Sequence, residues 1–133
     1  MTITLAAFQR KYLGRRVGSG QCRALVTAYE SEVLGIRGDT YQAIPRCNAE
    51  DMYRLANTAY FRKVRNTPNA IPPIGAIFVM LHKVYGHTGI VNRRSTVHVM
   101  YSLDQNWSKP LHVDTEAHGY SEVYGWLIHT GKR

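Results

Sequence analysis

Two cysteines in 133 residues, Cys22 and Cys47, are too few for the disulfide framework that staples small secreted domains. No Cys-x-x-Cys or His-x-x-x-His pair occurs and the six histidines are scattered, so the common structural zinc patterns are missing and no metal is expected. No run approaches the roughly eighteen apolar residues of a membrane span; the longest, around Ile74–Leu81, suits a buried strand. The start, MTITLAAFQRKYLG, has no early Lys or Arg and no long apolar segment with small-residue cleavage signals, so it does not read as a signal peptide. Synthesis in a cytoplasm is the expectation, with any extracellular target reached by another route. Repeats and low-complexity linkers are absent too, and the length suits one domain, 1–133, able to bury its own core. Acidic residues are scarce, nine against seventeen basic ones, for a formal charge of +8. Such a surface draws polyanions, either nucleic acid or an anionic cell wall. Against nucleic acid, Lys and Arg are spread over loops and termini and no recognition motif appears.

What is present falls into helices first and strands later. Thr4–Leu13 carries Leu5, Phe8, Tyr12 and Leu13 near helical spacing and stops at Gly14. Arg15–Gly20 reads as a basic, glycine-rich loop. Gln21–Leu34 is the strongest helix, with Cys22, Leu25, Val26, Tyr29 and Val33 on one face, Ser19 as a candidate cap and Gly35 at its end. Arg37–Cys47 looks irregular, and Asn48 offers a cap for a helix over Ala49–Asn57. After Pro72-Pro73, strands are predicted over Gly75–His82, Gly86–Asn92, Thr96–Leu103 and Glu122–His129, with a short one at Phe61–Arg65. The order argues for an α+β domain, N-terminal helices packed on an antiparallel sheet.

Cys22 lies where the glycine-rich loop Gly18-Ser19-Gly20-Gln21 meets a helix. Free N–H groups and the helix dipole stabilise a thiolate in a first helical turn; on an apolar face, the alternative is a small core hydrophobe. His87 stands between Gly86 and Gly89 at the opening of a strand, where glycine allows close approach of a substrate backbone. Asp104 and Asn106 follow at the end of the next strand, and two-residue parity lets both face His87 while Gln105 faces away. A nucleophile on an early helix, a base on a later strand and an orienting polar residue one strand on follow the papain-like order, with triad logic behind it. Cys47 lacks a glycine-framed helix start and reads as structural. His82, His98, His112, His118 and His129 read as surface or packing residues, and His98 shares strand parity with Asp104.

The motifs resemble the CHAP family, the cysteine- and histidine-dependent amidohydrolases/peptidases of phage lysins and bacterial wall hydrolases. Gln21-Cys22-Arg23-Ala24-Leu25-Val26 is similar to its Q-C-x-x-L-V helix start, and Pro73-Ile74-Gly75-Ala76-Ile77 to its P-x-G-D-I strand. Tyr85-Gly86-His87-Thr88-Gly89-Ile90-Val91 resembles its Y-G-H-V-x-I-V motif, Asp104-Gln105-Asn106-Trp107 its E-Q-N-W motif and Tyr124-Gly125-Trp126-Leu127 its closing strand. The matches run in order over nearly the whole chain.

The resemblance implies a papain-like fold and a peptidoglycan hydrolase, either an N-acetylmuramoyl-L-alanine amidase or a peptide-stem endopeptidase. It implies Cys22 as nucleophile and His87 as general base, with Asp104 or Asn106 orienting the imidazole. The Cys22 backbone N–H would serve as oxyanion donor with a second donor, Gln21, and Tyr85 and Trp107 would wall the substrate groove, core packing being the alternative for both. Two departures stand out. Many relatives carry an aspartate-rich calcium loop before the cysteine, whereas Lys11–Gly20 has no carboxylate and two arginines, so no calcium is expected there. Ala76 replaces the family's Asp. No separate wall-binding domain has room here, and the positive charge is expected to help hold a monomeric enzyme on anionic wall polymers. Competing functions are a basic nucleic-acid-binding domain and a phage structural protein without catalysis.

Overall fold

The computed structural model describes residues 1–133. Thr4 opens helix α1 (Leu5–Tyr12), its Oγ1 accepting the Ala7 N–H at 3.1 Å. Helix α2 (Cys22–Glu32) starts one residue later than the sequence suggests, because Gln21 is extended and occupies the cap position. Ser19 is not the cap: its hydroxyl accepts the Gln21 N–H at 3.3 Å and braces the loop. Gly35 takes up a left-handed φ of +69° just beyond the helix, as a terminating glycine does. The helix predicted from Asn48 is shorter than expected. A 3-10 turn (Ala49–Asp51) leads into a single helical turn, α3 (Met52–Leu55), and Asn48 makes no side-chain cap bond.

Six strands form one antiparallel sheet in the order β1-β6-β2-β3-β4-β5. They are β1 (Phe61–Arg65), β2 (Ile77–Met80), β3 (His87–Val91), β4 (Met100–Gln105), β5 (Val113–His118) and β6 (Val123–His129). The architecture is α+β, helices first and an antiparallel sheet after them. β4 begins later than predicted because Thr96 makes a turn, its Oγ1 accepting the N–H groups of His98 and Val99. His98 is therefore an exposed turn residue, off the strand. β5 is an element the sequence reading did not contain.

Two-residue parity divides the sheet. Ile77, Val79, Ile90, Leu103 and Leu127 face the helices and pack with Phe8, Leu25, Val26 and Tyr29. Phe8 meets Tyr12 and Tyr29 edge-to-face, at centroid distances of 4.9 and 5.8 Å. The opposite face gathers Ala76, Phe78, Met80, Val91, Met100, Val123 and Trp126 into a second, smaller cluster. Ala76 packs there, so a longer acidic side chain at that position would meet an apolar layer.

The two ends of the chain meet beside α2. The Ile3 N–H donates to Glu32 O and the Arg37 N–H to Arg133 O, both at 2.9 Å. A Cβ on Gly35 would lie 2.7 Å from the Thr2 side chain and 3.2 Å from that of Arg133. No helix is long and apolar enough to cross a membrane.

Candidate active site

Cys22 is the first residue of α2 and is half-buried. The Gly18 and Gly20 backbones both have positive φ, +56° and +84°, and turn the loop sharply into the helix. The loop is fastened from the sheet side. Gln105 Oε1 accepts the Val17 N–H at 2.7 Å, while its Nε2 donates to Val17 O at 3.0 Å and Gln21 O at 2.8 Å. The Cys22 N–H has no hydrogen-bond partner, as expected for a first-turn amide, and is free to receive an oxyanion.

His87 opens β3 and is 3 % exposed. Its Nε2 lies 2.7 Å from Asp104 Oδ2. An ionised carboxylate only accepts, so Nε2 carries the hydrogen and donates it. That leaves Nδ1 for the ring's other polar neighbour, the Cys22 thiol. Burial lowers the His87 pKa, but hydrogen bonds to Asp104 and Cys22, together with their charges, outweigh it and raise it to about 9. Burial works to raise the Asp104 pKa, but hydrogen bonds from His118 and His87 overcome this and hold it below the usual range. Ser102 Oγ donates to the other carboxylate oxygen at 2.5 Å.

Asn106 does not face His87. β4 ends at Gln105 and Asn106 turns away with φ +63°, so strand parity fails one residue early. Its amide donates to Gln21 Oε1 at 3.2 Å and its Oδ1 accepts the Leu111 N–H at 2.9 Å. Asn106 thus fixes the Gln21 side chain, while Asp104 alone of the two touches the imidazole. The Gln21 Nε2 amide is left without a protein partner.

Gly86 is required by the packing of the protein itself. It has φ +78°, and a Cβ there would lie 2.6 Å from the Glu50 backbone N and 2.8 Å from Met80 O. The Glu50 N–H in turn donates to Tyr85 O at 3.0 Å, which joins the His87 loop to the turn before α3.

A cleft of about 860 Å³ runs past these groups, lined among others by Gln21, Cys22, Tyr85, His87, Asn106 and Trp107. Tyr85 is 66 % exposed, so it belongs to the cleft wall and not to the core. Trp107 stacks beside the catalytic candidate, its ring 4.5 Å from that of His87. Cys47, read as structural, also lines the cleft; it is half-buried, and burial pushes its thiol pKa up.

Two histidines read as surface or packing residues have specific polar roles. His82 Nδ1 pairs with Glu122 at 2.8 Å and its ring lies 4.7 Å from Trp107. His118, at the end of the unforeseen β5, is buried, with its Nε2 2.8 Å from the same Asp104 oxygen that binds His87. The alternation Val113-Asp114-Thr115-Glu116-Ala117-His118 was the available signal for the strand.

His87, Asp104 and His118 offer three possible metal ligands within 4.8 Å of one another. Zinc ligands at about 2.0–2.1 Å in a tetrahedron stand roughly 3.3 Å apart. The observed 2.7 and 2.8 Å are hydrogen-bond separations, and the three side chains meet as hydrogen-bond partners.

This fold is shared with a solved endolysin. The endolysin LysIME-EF1 superposes with a TM-score of 0.73 at 22% identity, covering 96% of this chain and 64% of that one. Ly7917 gives a TM-score of 0.70 at 21% identity, covering 93% and 60%, and Ly7917 with the hydrolyzing product of MDP gives 0.70 at 19%, covering 92% and 60%. The chain thus spans less than two thirds of the length of each. No family model matches the sequence, and neither does any curated protein.

Proposed function

We propose that this chain is a peptidoglycan hydrolase that cleaves an amide bond through Cys22, as an N-acetylmuramoyl-L-alanine amidase or a peptide-stem endopeptidase. The observation that carries the reading is the buried His87 ring, bonded to Asp104 through Nε2, sharing the wall of an open cleft with the Cys22 thiol. The fold shared with LysIME-EF1, and with Ly7917 solved with the hydrolyzing product of MDP, supports wall fragments as the substrate class.

In this reaction His87 takes the Cys22 proton, and its raised pKa keeps the proton on the imidazole at neutral pH. The thiolate attacks the amide carbonyl, and the developing oxyanion is met by the Cys22 N–H and the Gln21 Nε2 amide. Collapse expels the amine, which takes the proton from His87, and leaves a thioester. Water, giving its proton to His87, attacks the thioester and releases the carboxylate, and that proton returns to the sulfur. Asp104 holds the imidazole in one tautomer and offsets its charge throughout. The +8 surface adds attraction to anionic wall polymers.

The test is digestion of purified walls followed by mass analysis. A free lactyl group with a new alanine N-terminus identifies an amidase; a cut stem or bridge on an intact glycan–peptide junction identifies an endopeptidase. Cys22→Ala should stop release by at least about a thousandfold while remaining folded. Walls solubilised equally fast by that variant would overturn the reading.

A further inference from the structure

We propose that His118 is a positioning residue for the site: through Asp104 it fixes the His87 imidazole and divides the carboxylate's charge between two rings. The proposal rests on the reading of Cys22, His87 and Asp104 as the reacting group.

Three adjacent strands supply the parts. His87 comes from β3, Asp104 from β4 and His118 from β5. Both histidines approach Asp104 Oδ2, at 2.7 and 2.8 Å, while Ser102 occupies Oδ1. His118 does not spread its bond to a spare oxygen; it competes with His87 for the same one. The side chains of His87 and His118 are 4 % exposed and that of Asp104 is fully buried, so water offers little substitute for either bond. Trp107 lies against the group, its ring 4.5 Å from His87 and 4.8 Å from His118, and Phe78 lies 5.5 Å from His118.

The charged and titratable surroundings of His118 are few. His87 faces it from β3 and Asp104 from β4, β2 contributes the apolar Phe78, and His82 lies beyond Trp107, paired with Glu122. On its own strand Glu116 is bonded to Ser108 and Asp114 pairs with Lys109. Asp104 is therefore the anion through which His118 acts.

A donor removed from a shared buried carboxylate leaves that oxygen more basic towards the remaining donor. Without His118 more of the charge of Asp104 bears on His87, which then holds its proton more tightly and yields it more slowly to the leaving amine. A neutral and a protonated His118 give the same sign, because losing either a donor or a cation strengthens the Asp104–His87 pair.

The experiment is histidine side-chain nitrogen NMR of the whole chain, with wall-digestion kinetics alongside. In the native protein His118 and His87 should both carry a slowly exchanging proton on Nε2; a His118 protonated on Nδ1 alone, with Nε2 bare, would overturn the proposal. In His118→Phe, which fills the volume without a donor, the His87 titration should move up by about half a unit or more. The alkaline limb of the kcat profile should follow it, with KM nearly unchanged. His118→Gln, which restores an amide donor, should bring the titration most of the way back. A folded His118→Phe protein in which His87 titrates as in the native one would sink the idea. If both variants unfold, the ring tautomers of the native protein decide alone. The NMR readout needs no substrate: should Cys22→Ala still digest walls, the reading of Cys22 as nucleophile fails while the His118 coupling is still measured.

Discussion

Gln105 grips Val17 with both ends of its amide, across 88 residues of sequence, accepting the Val17 N–H at 2.7 Å and donating to its carbonyl at 3.0 Å. The same Nε2 reaches Gln21 O, so one buried side chain of β4 sets the path of the loop that delivers Cys22. Adjacent residues of one strand thus serve the two halves of the site: Asp104 on one face bonds the His87 ring, Gln105 on the other fixes the loop that leads into Cys22.

Gln105→Leu keeps the volume, leaves the Val17 N–H without a partner and takes one of two donors from each of the Val17 and Gln21 carbonyls, which keep the N–H groups of Gly20 and Ala24. The expected cost is about 2–4 kcal/mol, read from urea unfolding. Amide exchange in 15–22 should accelerate well before global unfolding, and digestion should fall with it. Unchanged exchange in that loop would show that the bonds do not hold it.

The His87 pKa lies at about 9 in the folded chain, against 6.5 ordinarily. The folded state thus binds a proton that the unfolded state has released. This stabilisation is complete below about pH 6.5 and is lost as pH rises through 9, on the order of 3 kcal/mol. Melting temperature should fall between those values, and the fall should shrink in His87→Gln. A flat profile in the native protein would contradict it.

Arg23 and Glu30 form a buried pair, Nη1 to Oε1 at 3.1 Å, but Arg23 Nε and Glu30 Oε2 have no partner. Burial outweighs the arginine and pushes Glu30 up to about 7. Its cost therefore appears as pH rises from about 4.5 through 7, a window below that of His87. Arg23→Met should destabilise by about 3–5 kcal/mol, and Arg23→Met with Glu30→Leu should recover most of it. Equal losses in the single and double variants would refute this account.

Gly86→Ala forces a Cβ into the Glu50 backbone at a left-handed φ. Denaturant midpoints should drop by an amount worth about 1–3 kcal/mol, and the His87 ring should lose its fixed tautomer. Gly119→Ala, where nothing lies within 4 Å, is the control expected to behave as native.

Some of this was legible in the sequence because local signals and tertiary packing agreed. Phe61–Arg65 forms the expected strand to the residue, and α2 begins within one residue of its predicted start. Other parts were decided by contacts far along the chain. Parity placed Asn106 towards His87, but the strand ends before it, and a left-handed residue re-aims its side chain. β5 escaped notice because it is an edge strand whose half-exposed polar side chains dilute the apolar signal. His118 went with it: a lone histidine on an unrecognised strand gives no hint that a carboxylate waits one strand away.

The meeting of the chain ends at Gly35 has a practical reach. Gly35 lies past the far end of α2, and Cys22 sits at its start, about 16 Å of helix away. Cargo fused to either end, be it a surface tether or a targeting module, would leave from the same corner and keep clear of the cleft. The same proximity lets a short linker join Met1 to Arg133 and new ends be opened elsewhere, giving circularly permuted versions of the fold in which the cleft is untouched.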